Sequence, residues 1–257
     1  MTEEDRTDVV ARLRAAGCVY AEDEAALLHE AASGPALERL LARRVAGEPL
    51  EQVLGWASFG GIRVGVVAGV FVPRRRTELL VREAVALTAP GAVVVDLCCG
   101  CGAVGLVVAT RVPGVELHAA DVDPVAVACA GANLDAVGGT VHVGDLDAPL
   151  PARLRGQVDV LAANAPYVPT AEIALMPPEA RDHEPSVALD GGGDGLDVAR
   201  RVIAAARGWL APGGHVLVET SRRQAPSLAA AVTAAGLAPR VVTDDDLGGT
   251  VVIGRLG

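Results

Sequence analysis

The chain has 257 residues, enough for one large domain or for a full domain with a small appendage. It is 51% hydrophobic but only 2% aromatic, so its core must be built mainly from Val, Leu and Ala. A formal charge of −10, with no lysine at all, argues against stable nucleic-acid binding, which rests on neutralising phosphates; Arg74-Arg75-Arg76 is a local exception.

The opening Met-Thr-Glu-Glu-Asp-Arg is acidic and has no apolar signal core, and no stretch reaches the ~18 uncharged apolar residues of a membrane span. Residues 4–46 read as helices. Val9, Val10, Leu13 and Ala16 recur at helical spacing, a second segment covers 21–32, and a third follows Gly34-Pro35 with Leu37, Leu40, Leu41 and Val45. This unit carries no titratable constellation and reads as a packing or partner-docking appendage. Gly47-Glu48-Pro49 then breaks the helix. Gly55, Gly60, Gly61, Gly65 and Gly69 punctuate short β-prone runs, which predicts a β-hairpin linker over 47–76.

From residue 77 to the end, helix and strand alternate. Helices are predicted over 78–87, 102–109, 124–136, 196–210 and 224–235, and strands over 92–97, 115–120, 140–143, 158–163, 214–219, 239–242 and 250–254. Repeated βα units of this kind predict a seven-stranded, largely parallel sheet with helices on both faces, an α/β fold of Rossmann-like type. The organisation expected is a helical unit over 1–46, the linker over 47–76 and the α/β domain over 77–257.

Chemistry is expected at the carboxyl ends of the strands, where open α/β sheets bind ligands. The first of the seven strands runs into Asp96-Leu97-Cys98-Cys99-Gly100-Cys101-Gly102 and then a helix, a junction at which a ligand can approach the backbone. Asp121 lies 19 residues past Gly102, close to the ~20-residue spacing at which an acid reaches ribose hydroxyls. Asp145, followed by Leu146, closes the third strand and suits an adenine amino group. Together these describe a nucleoside site. Gly100, Gly102 and Gly105 also fit G-x-G-x-x-G, so a nicotinamide or flavin dinucleotide competes, although it leaves Asp96, Asp145 and Asn164 without a role.

Cys98-x-x-Cys101 at a helix start is where a redox thiol would have its pKa lowered, and three thiolates with Cys129 or His118 suit zinc. The bland alternative is small side chains in a tight turn. Three crowded cysteines among five do not form a disulfide framework, and a reducing cytoplasm is the expected setting.

The fourth strand delivers Asn164-Ala165-Pro166-Tyr167. Pro166 biases Ala165 away from helical torsions, so the Asn164 side-chain carbonyl and the Ala165 main-chain carbonyl can accept both hydrogens of one NH2 group, with Tyr167 adding a flat apolar face. The same four residues also suit an ordinary Asn-x-Pro turn.

With these residues in place, the chain resembles the class I S-adenosylmethionine-dependent methyltransferases and, within them, the HemK-like protein-(glutamine-N(5)) methyltransferases of release factors. The resemblance covers about residues 47–257. It is carried by Gly47-Glu48-Pro49-Leu50, Pro73-Arg74 with Thr77-Glu78, the Asp96 loop, Asn164 to Tyr167, Pro178-Glu179-Ala180-Arg181-Asp182-His183-Glu184-Pro185, and Ala188-Leu189-Asp190-Gly191-Gly192 with Asp194-Gly195-Leu196-Asp197. It implies methyl transfer from S-adenosylmethionine to a glutamine side-chain amide, with a peptide chain release factor as partner. The donor would be held by Asp96, Cys98, Gly100, Gly102, Asp121, Asp145, Leu146 and Asn164, and the acceptor by Asn164, Ala165, Pro166 and Tyr167. No metal is implied. The chain departs from the family pattern in four places. Ala165 replaces a proline, Cys98 a glycine, Arg75 and Arg76 a proline and an acid, and His183 a frequent aromatic. Transfer to a nucleic-acid base amine, or a cofactor-binding pseudoenzyme, are the alternatives.

Overall fold

The computed structural model describes residues 3–257. Helices α1 (Glu3–Ala15), α2 (Ala21–Ala31) and α3 (Gly34–Val45) close on a small core of their own, with Leu13, Leu28 and Leu41 fully buried. Arg44 crosses this unit to Glu24 at 2.6 Å, an ion pair almost wholly out of water.

The linker is not a hairpin alone. A short helix, α4 (Leu50–Leu54), comes first, bounded by Pro49 and by Gly55 in the left-handed region. Five residues are too few for hydrophobic periodicity to declare a helix, which is why only the glycine-punctuated strands were legible. The hairpin follows as β1 (Trp56–Phe59) and β2 (Ile62–Gly65), antiparallel around Gly60-Gly61. Its inward side chains Ala57, Phe59 and Val64, with Val66, Val70 and Val72 beyond, belong to one of the two cores that flank the large sheet.

Then come α5 (Glu78–Leu87), β3 (Val93–Leu97), α6 (Ala103–Arg111), β4 (Glu116–Asp121), α7 (Pro124–Leu134), β5 (Thr140–Val143), β6 (Val158–Ala163), α8 (Pro178–His183), α9 (Asp197–Ala206), β7 (Leu210–Glu219), α10 (Ala225–Ala234), β8 (Ala238–Asp244) and β9 (Gly249–Arg255). The seven strands β3–β9 form one sheet in the order β5-β4-β3-β6-β7-β9-β8, with β9 antiparallel to both its neighbours and the first five strands parallel. Most predicted boundaries shift by a residue or two. The larger correction is at 207–213. The helix predicted to 210 stops at Ala206, and β7 starts at Leu210 rather than 214. The predicted helix runs through Arg207-Gly208, a basic residue and a glycine that mark the helix end, and takes the apolar Trp209-Leu210 beyond them as its continuation. The Trp209 indole is buried and donates to Asp147 at 2.9 Å, while the Trp209 carbonyl accepts from Val158, so tertiary pairing ends the helix.

The chain builds β3, β4 and β5 outward in one direction and then returns to lay β6 on the other side of β3. That reversal splits the helical connections between the two faces and opens a crevice at the carboxyl ends of β3 and β6. Asp96, near the end of β3, and Asn164, immediately after β6, therefore arrive at the same place for a topological reason.

Candidate active site

At the end of β3 the Asp96 carboxylate is only 1% exposed and accepts the Gly105 backbone N–H at 2.9 Å. Burial pushes its pKa up to about 7, the Gly105 N–H opposes the rise, and the neighbouring Asp121 charge adds to it. Asp121, at the end of β4, accepts from Gly100 N–H at 2.9 Å through one oxygen and from Asp123 N–H at 3.0 Å through the other, which holds the glycine turn against the next strand. Its pKa is also raised, first by burial, with those backbone donors opposing.

Between the two acids, Cys98 sits in left-handed backbone at φ 53°, and after β5 Leu146 does the same at φ 50°. Gly102 also takes positive φ, as the N-cap of α6, and a Cβ there would meet Ala130 and Leu134 of α7. Asp145 is exposed and paired with Arg201 at 2.6 Å.

At the end of β6, the Asn164 Nδ2 donates to the Thr77 hydroxyl at 3.4 Å. The Tyr167 hydroxyl donates to Glu219 Oε1 at 3.1 Å, and Arg76 reaches the same oxygen at 3.4 Å while its guanidinium stands 5.6 Å from the centroid of the Tyr167 ring. Gln224 Nε2 donates to both the Tyr167 and Asp194 carbonyls at 2.9 Å, so α10 pins the turn to the glycine-rich loop that precedes α9. On the other rim, Glu184 is buried and accepts from Val72 N–H at 3.1 Å and from Arg74 at 2.6 Å.

One cavity of about 240 Å³ runs between these elements. Asp96, Cys98, Gly100, Asp121, Asp145, Leu146, Asn164, Ala165, Pro166 and Tyr167 all line it, together with Phe59, Phe71, Thr77, Arg76 and Met176. Of the residues expected to hold the donor or the acceptor, Gly102 stands apart: it lies behind the wall and permits the close approach of α6 to α7.

Three residues that sequence reasoning gave no role, Thr77, Arg76 and Glu219, complete the Asn164 corner. Glu219 was within reach, since it is an acid at the carboxyl end of a sheet strand, the rule that found Asp121. Thr77 carries no such signal.

The cysteine cluster does not support thiolate chemistry. Burial is the first cause raising the pKa of Cys98, Cys99 and Cys101, the last to about 12, and all five cysteines are free. Among the described residues no group of three or more Cys, His, Asp and Glu side chains is gathered to hold a metal ion.

A parallel sheet with a crossover reversal, a glycine turn clasped by strand-end acids, and an Asn-x-Pro-Tyr corner in the same cavity together define a methyltransferase, and residues 64–176 match the methyltransferase small domain family. The fold is also that of a T. thermophilus 16S rRNA N2 G1207 methyltransferase solved in complex with AdoMet and guanosine, with a TM-score of 0.53 and 20% identity over 79% of this chain and 50% of that one. The release factor glutamine methyltransferase of Geobacter sulfurreducens is 35% identical over 221 residues, covering 85% of this chain and 77% of the relative. That of Bradyrhizobium diazoefficiens is 34% identical over 259 residues, covering 91% and 87%. The chain belongs to the release factor glutamine methyltransferase family.

Proposed function

We propose that this chain transfers a methyl group from S-adenosylmethionine to the side-chain amide nitrogen of a glutamine in a peptide chain release factor. The activity named for its relatives, release factor glutamine methylation, supports the acceptor. The cavity supports the donor. Asp121 keeps lone pairs beyond its two backbone bonds for ribose hydroxyls, Leu146 and the half-exposed Val122 offer apolar surface to a base, and Asp145 offers an acceptor for an amino group. A cavity walled by Asp96 and Asp121 also suits a cationic ligand. The five free thiols are consistent with a cytoplasmic setting.

When bound, S-adenosylmethionine supplies an electrophilic methyl on a positively charged sulfur. An amide nitrogen is a poor nucleophile, because its lone pair is delocalised into the carbonyl, and the task of the protein is alignment. Asn164 Oδ1 and the Ala165 carbonyl accept the two N–H bonds of the glutamine and fix the direction of the nitrogen. Accepting those bonds also favours the positive charge that develops there as the N–C bond forms and the S–C bond breaks. The proton then leaves to solvent; Asn164 and Tyr167 provide no strong base.

The observation that carries this reading is the orientation of Asn164. Its NH2 is turned to Thr77, which leaves Oδ1 for the cavity. In Asn164→Ala, radiolabelled methyl transfer to release factor is expected to fall by about a hundredfold or more, with calorimetric affinity for S-adenosylmethionine largely intact, because the other donor-holding residues remain. Undiminished turnover would remove the mechanism. Label appearing on tRNA or rRNA instead of release factor would assign the cavity to a base amine.

A further inference from the structure

The direction in which Asn164 faces needs a cause, because an amide can present either end to the cavity with almost no change of shape. Its Nδ2 is spent on Thr77 Oγ1, so that hydroxyl oxygen is an acceptor and its single hydrogen must find another partner. Thr77 is 1% exposed, so the partner is not bulk water. Glu219, also 1% exposed, stands at this corner, one residue past the Ala163–Val218 pair of β6 and β7. Glu219 Oε1 receives Tyr167 and Arg76, whereas Oε2 is buried with no hydrogen-bonding partner, a costly state for a carboxylate oxygen. Burial raises the pKa of this carboxyl, and the Thr77 hydroxyl is first among the facing groups that oppose the rise, ahead of Arg76 and Tyr167.

We propose that a small rotation closes the gap the structure leaves at Glu219 Oε2 and gives it the Thr77 hydroxyl hydrogen, so that Glu219, Thr77 and Asn164 form a one-way chain of hydrogen bonds that turns Asn164 Oδ1 to the cavity. The chain has a sense because its far end is a carboxylate, which can only accept. Glu219 is thus a positioning residue, acting through Thr77 on the group that touches the acceptor amide. Its relevance to turnover rests on the proposed glutamine methylation, whereas the orientation of Asn164 does not.

Glu219→Gln tests the sense of the chain. Tyr167 and Arg76 both donate toward Oε1, so the carboxamide oxygen of the new side chain stays with them and its NH2 falls where Oε2 was. Thr77 must then accept from that NH2 and donate its hydrogen the other way, to Asn164 Oδ1, which swings the Asn164 NH2 into the cavity. Thr77→Val removes the hydroxyl at nearly constant shape, and Thr77→Ser retains it.

Asn133 and Asn164 are the asparagines of this chain, so selective ¹⁵N-asparagine labelling yields two side-chain NH2 pairs. Asn133 donates to Gly65 and Cys101 carbonyls at 2.9 and 2.8 Å, away from this chain of bonds, and reports whether a variant is folded. In Thr77→Val and Glu219→Gln, the Asn164 pair is expected to shift and to exchange faster with solvent while the Asn133 pair stays in place. kcat on release factor should fall about tenfold or more, with the Kd for S-adenosylmethionine unchanged, and Thr77→Ser should recover most of that loss.

An Asn164 pair that stays where it is in both variants would overturn the proposal, as would a Thr77→Ser protein no better than Thr77→Val. If Thr77→Val also displaces the Asn133 pair, Glu219→Gln decides by the same two readouts. Should the wild-type protein label no release factor, the functional reading fails alone, and the asparagine resonances still decide the orientation.

Discussion

Cys98 holds a backbone conformation that costs an L-residue about 1–2 kcal/mol, at φ 53°, in the turn that lines the cavity next to Asp96. Where the family pattern has glycine, no such cost arises, because glycine enters the left-handed region freely. The strain is separable from the packing of the thiol by comparing two substitutions that both remove it. Cys98→Gly and Cys98→Ala each lose the sulfur, but only glycine relieves the backbone. Cys98→Gly should therefore be the more stable of the two by about 1 kcal/mol in urea unfolding. Equal midpoints and slopes would show that the turn carries no strain.

Among elements, the segment between β6 and α9 behaves as one piece with the Asn164 corner. Val168 donates to the Leu189 carbonyl, Gly191 donates to the Val168 carbonyl, and Gln224 binds the Tyr167 and Asp194 carbonyls together. Gly195 sits inside this clasp at φ 80°, where a Cβ would land on the Tyr167 carbonyl oxygen and on Gln224 Nε2. Gly195→Ala should cost on the order of 2 kcal/mol or more and lower kcat by displacing Tyr167. A variant with an unchanged melting temperature and turnover would mean the loop is free to adjust.

The elements that sequence reasoning reached are those with a strong local period. Val158–Ala163 is apolar but for Asp159 and was found to the residue, and the βα alternation was enough for a largely parallel sheet. What escaped it had no period or depended on distant partners: the five-residue α4, the early start of β7 set by Trp209, and α8, which is six residues long. The site divides the same way. Strand-end acids and the Asn-x-Pro-Tyr turn announce themselves by position, whereas Thr77 gains its meaning only from Asn164 and Glu219, which lie 87 and more residues away.

For the whole molecule, the acids are sorted by depth. Those on the surface that find arginine or a backbone donor, such as Asp190, Asp194 and Asp244, are held below the usual carboxylate range, first by a hydrogen bond in each case. Those drawn into the crevice and its rim, Asp96, Asp121, Glu184 and Glu219, are all raised, first by burial. The second group makes the cavity a liability to folding at neutral pH. A carboxyl whose folded pKa lies above its unfolded value contributes fully below the unfolded value, and that contribution is lost as pH rises through the folded one.

For Asp96 the window runs from 3.8 to about 7. Asp96→Asn keeps the shape and can still accept the Gly105 N–H, but it has no charge to bury. In urea unfolding the stability of Asp96→Asn relative to wild type should therefore grow by about 2–3 kcal/mol between pH 5 and pH 8. Taking the difference cancels the other titrating groups, provided Asp121 is little affected. A difference that stays flat across this range would mean that Asp96 is ionised throughout, and that the floor of the cavity is better solvated than its burial indicates.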